Sequence, residues 1–288
     1  MTEEHGGLLR SRVLRRFLRN PLSLLGLLIV TAIVMAAVFA PYLAPYPRDA
    51  GPSVNFARAL EPPSIEHPFG TDDVGRDILS RTIFGTRLAL AFAAIVLGIA
   101  MAIGIPLGLL AGYWPHSLAS TLILRLTDVF LAVPPLALAL AITVAFEPNL
   151  TTAMVAVSFA WWPWFTRLVY AETLSIKSEP FIEAAESLGQ RDLIIMSRHI
   201  PPNILSPIIV KASLDVSFVI LLGASLSFLG VGAQEPTPDW GAMVARGRLY
   251  LPEHWWISTM PGLAIFVTVV GFNLIGDAIR DALDVRDR

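Results

Sequence analysis

Charged side chains interrupt the apolar stretches of this chain at few positions, and those positions are the first candidates for chemistry. Of its 288 residues, 55% are hydrophobic and 15% are charged, whereas a soluble domain carries ~25% charged residues. Arg125 and Asp128 lie three residues apart, and Lys211 and Asp215 lie four apart. Side chains at these spacings share one helix face and can pair. Because charges inside a membrane span face protein or water, the four residues either line a solute pathway or form structural ion pairs.

Motifs for catalysis or cofactor binding are absent from the sequence. It contains no Gly-x-x-x-x-Gly-Lys-Ser/Thr loop to cradle the phosphates of ATP, and neither a His-Glu-x-x-His nor a Gly-x-Ser-x-Gly motif. The 5 histidines are scattered without the spacing of metal ligands, and there is no cysteine. A net charge of -2 provides no basic footprint for nucleic acid. We therefore expect a protein that is not an enzyme, takes no metal or cofactor, and binds no nucleic acid.

The longest charged segment between two apolar runs spans 172–203, and its first part predicts a short amphipathic helix. Phe181, Ala185 and Leu188 fall at i, i+4 and i+7, which makes one face apolar. The other face carries three acids, namely Glu179, Glu183 and Glu186. Gly189 follows as a helix-ending glycine would, because it has no Cβ to oppose a left-handed turn.

A second short helix is predicted after this turn. Asp192 is placed to cap it, and its apolar residues are Leu193, Ile194, Met196 and Ile200. Pro201 and Pro202 are expected to end it, because proline breaks the backbone hydrogen bonds of a helix. A helix pair with an apolar stripe, lying outside the membrane core, is suited to bind in the groove of a partner. The alternative is an ordinary amphipathic connector between two spans.

Six apolar segments predict an all-α integral membrane protein with six transmembrane helices, since a span needs ~20 residues. The segments are 22–47, 88–112, a stretch from about 118 that Pro134 and Pro135 would kink, 148–166, 204–230 and 255–276. The chain thus divides into a basic tail at 1–21, a first helix at 22–47, a loop at 48–87, a core of five helices at 88–279 and a tail at 280–288.

An arginine cluster orients these segments. It consists of Arg10, Arg12, Arg15, Arg16 and Arg19. Positive residues next to a span stay in the cytoplasm, and an even number of spans places both termini on that side. We therefore expect a multi-pass protein of the cell inner membrane with cytoplasmic termini, a cytoplasmic 172–203 segment and an extracytoplasmic 48–87 loop.

Three further patterns give structural expectations. Gly98, Gly104 and Gly108 would let two helices approach closely in lipid. Trp161, Trp162 and Trp164 suit an interfacial belt or helix packing better than an aromatic ligand site. The segment 67–77, with its acids, glycines and arginine, could form a metal or anion site, but a structured loop with Asp–Arg hydrogen bonds is the favoured interpretation.

Four blocks of the sequence, in the right order, resemble the C-type permease subunits of ATP-binding-cassette (ABC) importers for dipeptides, oligopeptides and nickel. They are the Glu183-Ala184-Ala185 block with its glycine and proline, the 67–77 segment, the 225–241 segment and the 273–284 segment. The resemblance covers nearly the whole chain. It implies the type I ABC importer permease (MetI-like) fold and a role in forming half of a translocation pathway for short peptides.

The resemblance also implies partners and residue roles. The partners are a homologous second permease subunit forming a heterodimer, two cytoplasmic ABC ATPases that hydrolyse the ATP, and an extracytoplasmic substrate-binding protein. The 172–203 segment becomes the coupling loop, where Glu183 makes polar contacts, the two alanines allow close approach and Gly189 makes the turn. The expected ATPase-coupling residues are Glu183, Ala184, Ala185, Glu186, Leu188, Gly189, Asp192, Ile200 and Pro202.

Other functions remain open at this point. The same architecture could import nickel or glutathione in place of peptides. An ion-coupled secondary transporter is a rival because such proteins carry intramembrane carboxylates, for which Asp128 and Asp215 are the candidates deep enough. A membrane enzyme or scaffold is a weaker rival, because no nucleophile, acid–base pair or metal cluster converges in the sequence.

Overall fold

The computed structural model describes residues 20–283, in which the regular structure is helical and no β-strand is present. The predicted basic cluster before residue 20 and the tail from residue 284 lie outside these residues. The helices of eight or more residues are α1 (Pro21–Val38), α2 (Ile78–Tyr113), α3 (Leu118–Leu131), α4 (Pro135–Ala145), α5 (Leu150–Lys177), α6 (Pro180–Ser187), α7 (Pro201–Phe228), α8 (Trp240–Gly247) and α9 (Trp256–Leu283). The all-helical class predicted from the sequence is confirmed.

Polar side chains fix the starts of several helices. Asn20, Asp77, Ser117, Asn149 and Asp239 each accept a hydrogen bond from a backbone N–H group of the first turn of the helix that follows. The first N–H groups of a helix have no partner within the helix, so such a cap satisfies one of them. These polar residues therefore set where the long apolar helices begin.

Helices α2 and α5 form the most extensive helix–helix contact of the bundle, and glycines on α2 make it possible. A Cβ atom added at Gly104 would lie 2.7 Å from Phe165 Cβ, and one added at Gly108 would lie 2.6 Å from Val169 Cβ. Close packing at these two glycines is confirmed. The expected packing is not found at Gly98, because no atom of residues 20–283 lies within 4 Å of its added Cβ.

The third apolar segment is broken rather than kinked. Helices α3 and α4 meet at a 90° bend. Pro134 has an extended backbone (φ -54°, ψ 130°), because the ring of Pro135 disfavours the helical conformation in the residue before it. Two consecutive prolines thus end one helix and begin another, with Pro135 in the first turn of α4.

Four helices within 20–283 are long and apolar enough to cross a membrane, namely α1, α2, α7 and α9, and the α3–α4 pair is a fifth if it counts as one span. Helix α5 does not meet the same test although it has 28 residues. The count of six crossings therefore stays a prediction.

Several helix bounds differ from the predicted spans. Helix α1 ends at Val38, α2 begins ten residues before 88 and α5 continues to Lys177, inside the predicted 172–203 segment. Apolar runs mark the part of a helix that lipid can cover. Backbone hydrogen bonding continues beyond it through Arg167 and Glu172, whose residue types are good helix formers.

The α2–α5 contact gives a first prediction. Gly108→Ala should destabilise the chain by about 1–3 kcal/mol, the usual effect of overpacking, because the added Cβ would lie 2.8 Å from the Thr166 carbonyl oxygen as well as against Val169. Gly98→Ala is the matched control and should be neutral or slightly stabilising, since alanine favours the helix over glycine. Thermal unfolding of the purified chain in detergent measures both, and equal loss in the two variants would contradict the packing role.

Candidate functional site

The segment between α5 and α7 contains the turn predicted at Gly189. Gly189 has φ +75°, and its N–H group donates to the Glu186 carbonyl at 2.9 Å. The N–H of Gln190 donates to the Ala185 carbonyl at 3.2 Å. This pair of hydrogen bonds is the Schellman motif that ends a helix with a left-handed residue. A glycine is favoured there because a Cβ strains this backbone conformation.

The apolar face of α6 differs from the predicted one. Ile182 and Ala185 are buried against the bundle, whereas Phe181 is 43% exposed and Leu188 is 82% exposed. Phe181 and Leu188 therefore do not form the buried face, although Ala185 does. The helical period allows two apolar faces here, and the neighbouring helices select the one that contains Ile182.

Exposed apolar side chains continue beyond the turn. Leu193 is 65% exposed, and Ile194 is exposed as well. Together with Phe181 and Leu188 they form what we name the outward patch. Glu183 and Ala184 are exposed on the same segment, and the Glu183 carboxylate has no polar partner within 20–283. The polar contact expected of Glu183 is thus not made inside this chain.

The second short helix also differs from its prediction. Arg191, not Asp192, occupies the N-cap position, and Asp192 lies in the first turn. Pro201 and Pro202 begin α7 rather than ending the helix before it. A π-turn at Ile195–His199, closed by a bond from the Ile200 N–H to the Ile195 carbonyl at 3.1 Å, carries the chain into α7. Prolines are tolerated there because the N–H groups of a first helical turn need no partner within the helix.

Asp192 and Glu186 are exposed, but their carboxylates reach a tyrosine that the sequence analysis did not single out. The Tyr113 hydroxyl, at the end of α2, lies 3.1 Å from Asp192 Oδ1 and 3.4 Å from Glu186 Oε1. Lys177 Nζ donates to the Tyr113 carbonyl at 2.6 Å and lies 4.4 Å from the centre of its ring. Tyrosine at the end of a predicted span is the only sequence signal of this contact.

The predicted Arg125–Asp128 pair is not formed. Asp128 pairs instead with Arg167 of α5, because α5 packs beside α3. Arg125 is exposed and has no polar partner within residues 20–283. Spacing along one helix made the first pair possible, but the neighbouring helix supplied a better-placed cation.

The predicted Lys211–Asp215 pair is confirmed. Lys211 Nζ lies 2.9 Å from Asp215 Oδ2, and Trp161 Nε1 donates to the same carboxylate oxygen at 2.8 Å. Trp161 and Trp162 are buried in the bundle, so they serve helix packing and not an interfacial belt, while Trp164 is exposed. The ion pair borders an open cleft of about 660 Å³ that Glu172 and Arg280 also line.

The predicted loop at 67–77 is a structured polar cluster with Asp–Arg hydrogen bonds. Arg76 Nε donates to Asp72 Oδ2 at 2.7 Å, and Arg76 Nη1 donates to Glu235 Oε2 at 2.6 Å. The side chain of Arg81 is fully buried and lies 3.3 Å from the same Glu235 oxygen. No group of three or more possible metal ligands occurs in the part of the chain that the structure describes. The cluster therefore joins the loop to the segment after α7.

Arginines lower the pKa of two carboxyl groups in this cluster. Burial acts to raise the pKa of Glu235, but hydrogen bonding to Arg76 and the charge of Arg81 outweigh it and bring the pKa below its ordinary value. Burial also acts to raise the pKa of Asp73, and the hydrogen bonds and charge of Arg246 lower it overall. Both groups are therefore held as carboxylates at neutral pH, and each keeps the negative charge that pairs with its arginine.

The polar cluster gives a second prediction. Asp72→Asn should destabilise the chain by about 3 kcal/mol, because it leaves the buried charges of Arg76 and Arg81 short of a counter-ion. Glu66→Gln is the control, since the Glu66 side chain is 73% exposed and lies 4.0 Å from Arg58; its effect should stay within about 0.5 kcal/mol. Thermal unfolding in detergent compares the two, and a tolerant Asp72→Asn would rule out the structural importance of this ion pair.

Known proteins resemble this chain over most of its length. The probable D,D-dipeptide transport system permease of Escherichia coli (strain K12) is 39% identical over 265 residues, or 92% of this chain and 88% of its own. The dipeptide transport system permease of Alkalihalophilus pseudofirmus is 41% identical, covering 92% and 86%. The glutathione transport system permease of Pectobacterium atrosepticum is 43% identical, covering 94% and 89%.

A solved structure of the inward-facing MetNI methionine ABC transporter contains a similar fold. The TM-score is 0.58 with 18% identity, over 71% of this chain and 97% of that one. Residues 9–63 match the N-terminal transmembrane domain of oligopeptide transport permease C. Residues 104–288 match the inner membrane component of binding-protein-dependent transport systems. The chain therefore belongs to that family of multi-pass membrane proteins, the permease subunits of ABC importers.

Proposed function

We propose that this permease forms half of a pathway that carries short peptides across the cell inner membrane, driven by ATP hydrolysed in separate cytoplasmic subunits. The observation that carries the coupling part of this proposal is the outward patch. Four large apolar side chains are exposed on a segment that also buries Ile182 and Ala185 against the bundle, and exposed apolar clusters mark interaction sites. The sequence supplies no phosphate-binding loop of its own.

The coupling residues divide into two groups under this proposal. Glu183, Ala184 and Leu188 contact the ATPase, because their side chains are exposed and make no polar contact within residues 20–283. Glu186, Asp192, Ala185, Ile200, Pro202 and Gly189 set the shape of the segment. Ala185 and Ile200 are buried, so they act by holding the helix pair against the bundle. Helix α6 then lies in a groove of the ATPase as an amphipathic helix does.

The orientation and assembly are part of the same proposal. Helix α5 is then the fourth of six crossings, which leaves both termini and the α5–α7 segment in the cytoplasm. The 67–77 cluster then lies at the outer face, where an extracytoplasmic binding protein delivers substrate. A homologous second permease completes the pathway as a heterodimer. Each of two cytoplasmic ATPases binds one coupling segment, the name we give to residues 178–200 between α5 and α7. The location of the outward patch and the 67–77 cluster at opposite ends of α2 supports this arrangement.

The pathway candidates are Arg125, Asp128, Lys211 and Asp215. Lys211 and Asp215 border the 660 Å³ cleft, and the Arg125 and Asp128 side chains are exposed on α3. Charged groups that are open to a cleft or to the outside of a single subunit can face the water-filled space between two subunits. Asp128, Lys211 and Asp215 also have ion-pair partners within the chain, so a structural role is open at these three positions.

Short peptides are the proposed substrates because two of the similar proteins are named as dipeptide permeases. A glutathione permease is equally similar, so glutathione is the second candidate. The third prediction is that the purified complex, with its ATPases and binding protein in lipid nanodiscs, hydrolyses ATP faster when dipeptides are added than when glutathione or Ni²⁺ is added. Stimulation by glutathione or Ni²⁺ alone would reassign the substrate.

A matched uptake assay separates this function from ion-coupled transport. Proteoliposomes that contain the complex should accumulate dipeptide when ATP is present on the ATPase side, and dissipation of the proton gradient should leave uptake unchanged. Uptake that persists without ATP and collapses with the proton gradient would overturn the proposal.

The fourth prediction concerns Gly189. Gly189→Val should uncouple ATP hydrolysis from uptake, because a β-branched residue strains the left-handed turn (φ +75°) that separates the two arms of the coupling segment. Gly189→Asn is the matched control, since asparagine tolerates this conformation and an added Cβ meets no atom of the described part of the chain within 4 Å. Uptake per ATP hydrolysed should fall in the valine variant and persist in the asparagine variant. Normal uptake in both would exclude the turn from coupling.

A further inference from the structure

We propose that Tyr113 is the positioning residue that transmits movement of the coupling segment to the transmembrane helices, through one hydroxyl group shared between the two arms of the segment. This inference rests on the proposed coupling function. Tyr113 is the last residue of α2, and its side chain is buried, with 1% of the residue exposed. Its hydroxyl is the polar group of α2 that reaches the coupling segment.

The hydroxyl faces one carboxylate from each side of the Gly189 turn. Asp192, after the turn, accepts at 3.1 Å, and Glu186, before the turn, lies at 3.4 Å. A phenol has a single proton to donate, so the two carboxylates compete for it. The shorter distance assigns the bond to Asp192 in this structure. A small rotation of the segment would exchange the acceptor for Glu186, which gives the contact two discrete arrangements.

The other side of Tyr113 is fixed to the bundle. Lys177 Nζ, at the end of α5, donates to the Tyr113 carbonyl at 2.6 Å and lies 4.4 Å from the ring centre. One residue earlier, a Cβ added at Gly112 would lie 2.6 Å from Thr173 Cβ, so α2 and α5 are in close contact at this end. A displacement that reaches Tyr113 is therefore passed to both helices together.

Apolar packing alone does not fix the position of the segment in the same way. Ile182, Ile195 and Ile200 are buried in the cluster that contains the Tyr113 ring, and such contacts hold the segment without selecting a direction. A hydrogen bond to a carboxylate is directional and stronger than a neutral one. The apolar contacts therefore attach the segment to the bundle, and the hydrogen bond of the hydroxyl fixes the direction in which the segment lies.

The substitution Tyr113→Phe tests this role, because it removes the hydroxyl and keeps the buried ring and its contact with Lys177. The measurement uses the complete complex in proteoliposomes and reports ATP hydrolysed per dipeptide imported. We expect this ratio to rise at least about tenfold, the smallest change expected when a hydrogen bond to a charged group is lost, with assembly and basal ATP hydrolysis retained. Tyr170→Phe is the control, since the Tyr170 hydroxyl has no polar partner within residues 20–283, and its ratio should equal that of the unaltered complex.

Variants on the other side of the contact keep the test valid if Tyr113→Phe lowers the yield of folded protein. Asp192→Ala with Glu186→Ala removes both acceptors from exposed positions and should raise the ratio similarly. Combining these two substitutions with Tyr113→Phe should add nothing further, because all three remove one interaction. Additive effects would show that the carboxylates act through the ATPase and would overturn the role of Tyr113.

The outcomes separate the two proposals. An unaltered complex that imports dipeptide with ATP supports the proposed function whatever the variants do. An unchanged ratio in Tyr113→Phe, or a loss of thermal stability with no change in the ratio, overturns the positioning role alone. An unaltered complex that imports no candidate substrate overturns the proposed function itself.

Discussion

The close approach of α2 and α5 is the constraint on which the rest of the structure depends. In lipid there is no hydrophobic force to drive apolar helices together, so the contact relies on small residues that let backbones pack. Gly104, Gly108 and Gly112 recur every four residues and meet Phe165, Val169 and Thr173 at the same spacing. The two helices therefore run side by side along this length, and the polar groups at their ends are placed by that packing.

Charged groups at the two ends of this bundle are satisfied by partners from distant parts of the chain. At one end Arg76 and Arg81 meet Glu235, more than 150 residues away in sequence. At the other end the Tyr113 hydroxyl meets Asp192 and Glu186. Buried polar groups are costly unless paired, so these contacts fix how the loops and the coupling segment sit on the helices. The glycine contact sets the middle of the bundle, and polar contacts set its ends.

The segment between α5 and α7 carries apolar side chains on two faces. Ile182 is buried against the bundle, while Phe181, Leu188 and Leu193 are exposed. The carboxylates at 186 and 192 are exposed as well, yet both lie within hydrogen-bond distance of the Tyr113 hydroxyl. A second, exposed apolar face is understandable in a subunit of an assembly, where it becomes buried on binding.

Local features were determined by the sequence alone, because they depend on neighbours along the chain. The long apolar runs required helices, Gly189 required a left-handed turn, and Lys211 and Asp215 were close enough on one helix to pair. The four blocks that resemble ABC importer permeases also identified the family. Where helices or turns are set by residues within a few positions, periodicity and turn chemistry are sufficient evidence.

Tertiary structure determined which of several possible partners a side chain contacts. Asp128 pairs with Arg167 and not with Arg125. Ile182 is buried in place of Phe181. Trp161 contacts Asp215 instead of lying at a membrane interface. Tertiary structure also made Pro201 and Pro202 the start of a helix, and turned Asp192 from a predicted cap into an acceptor for Tyr113. Helical spacing shows which groups can share a face, but the energy of burial and pairing depends on what the adjacent helix presents, and that information is not local.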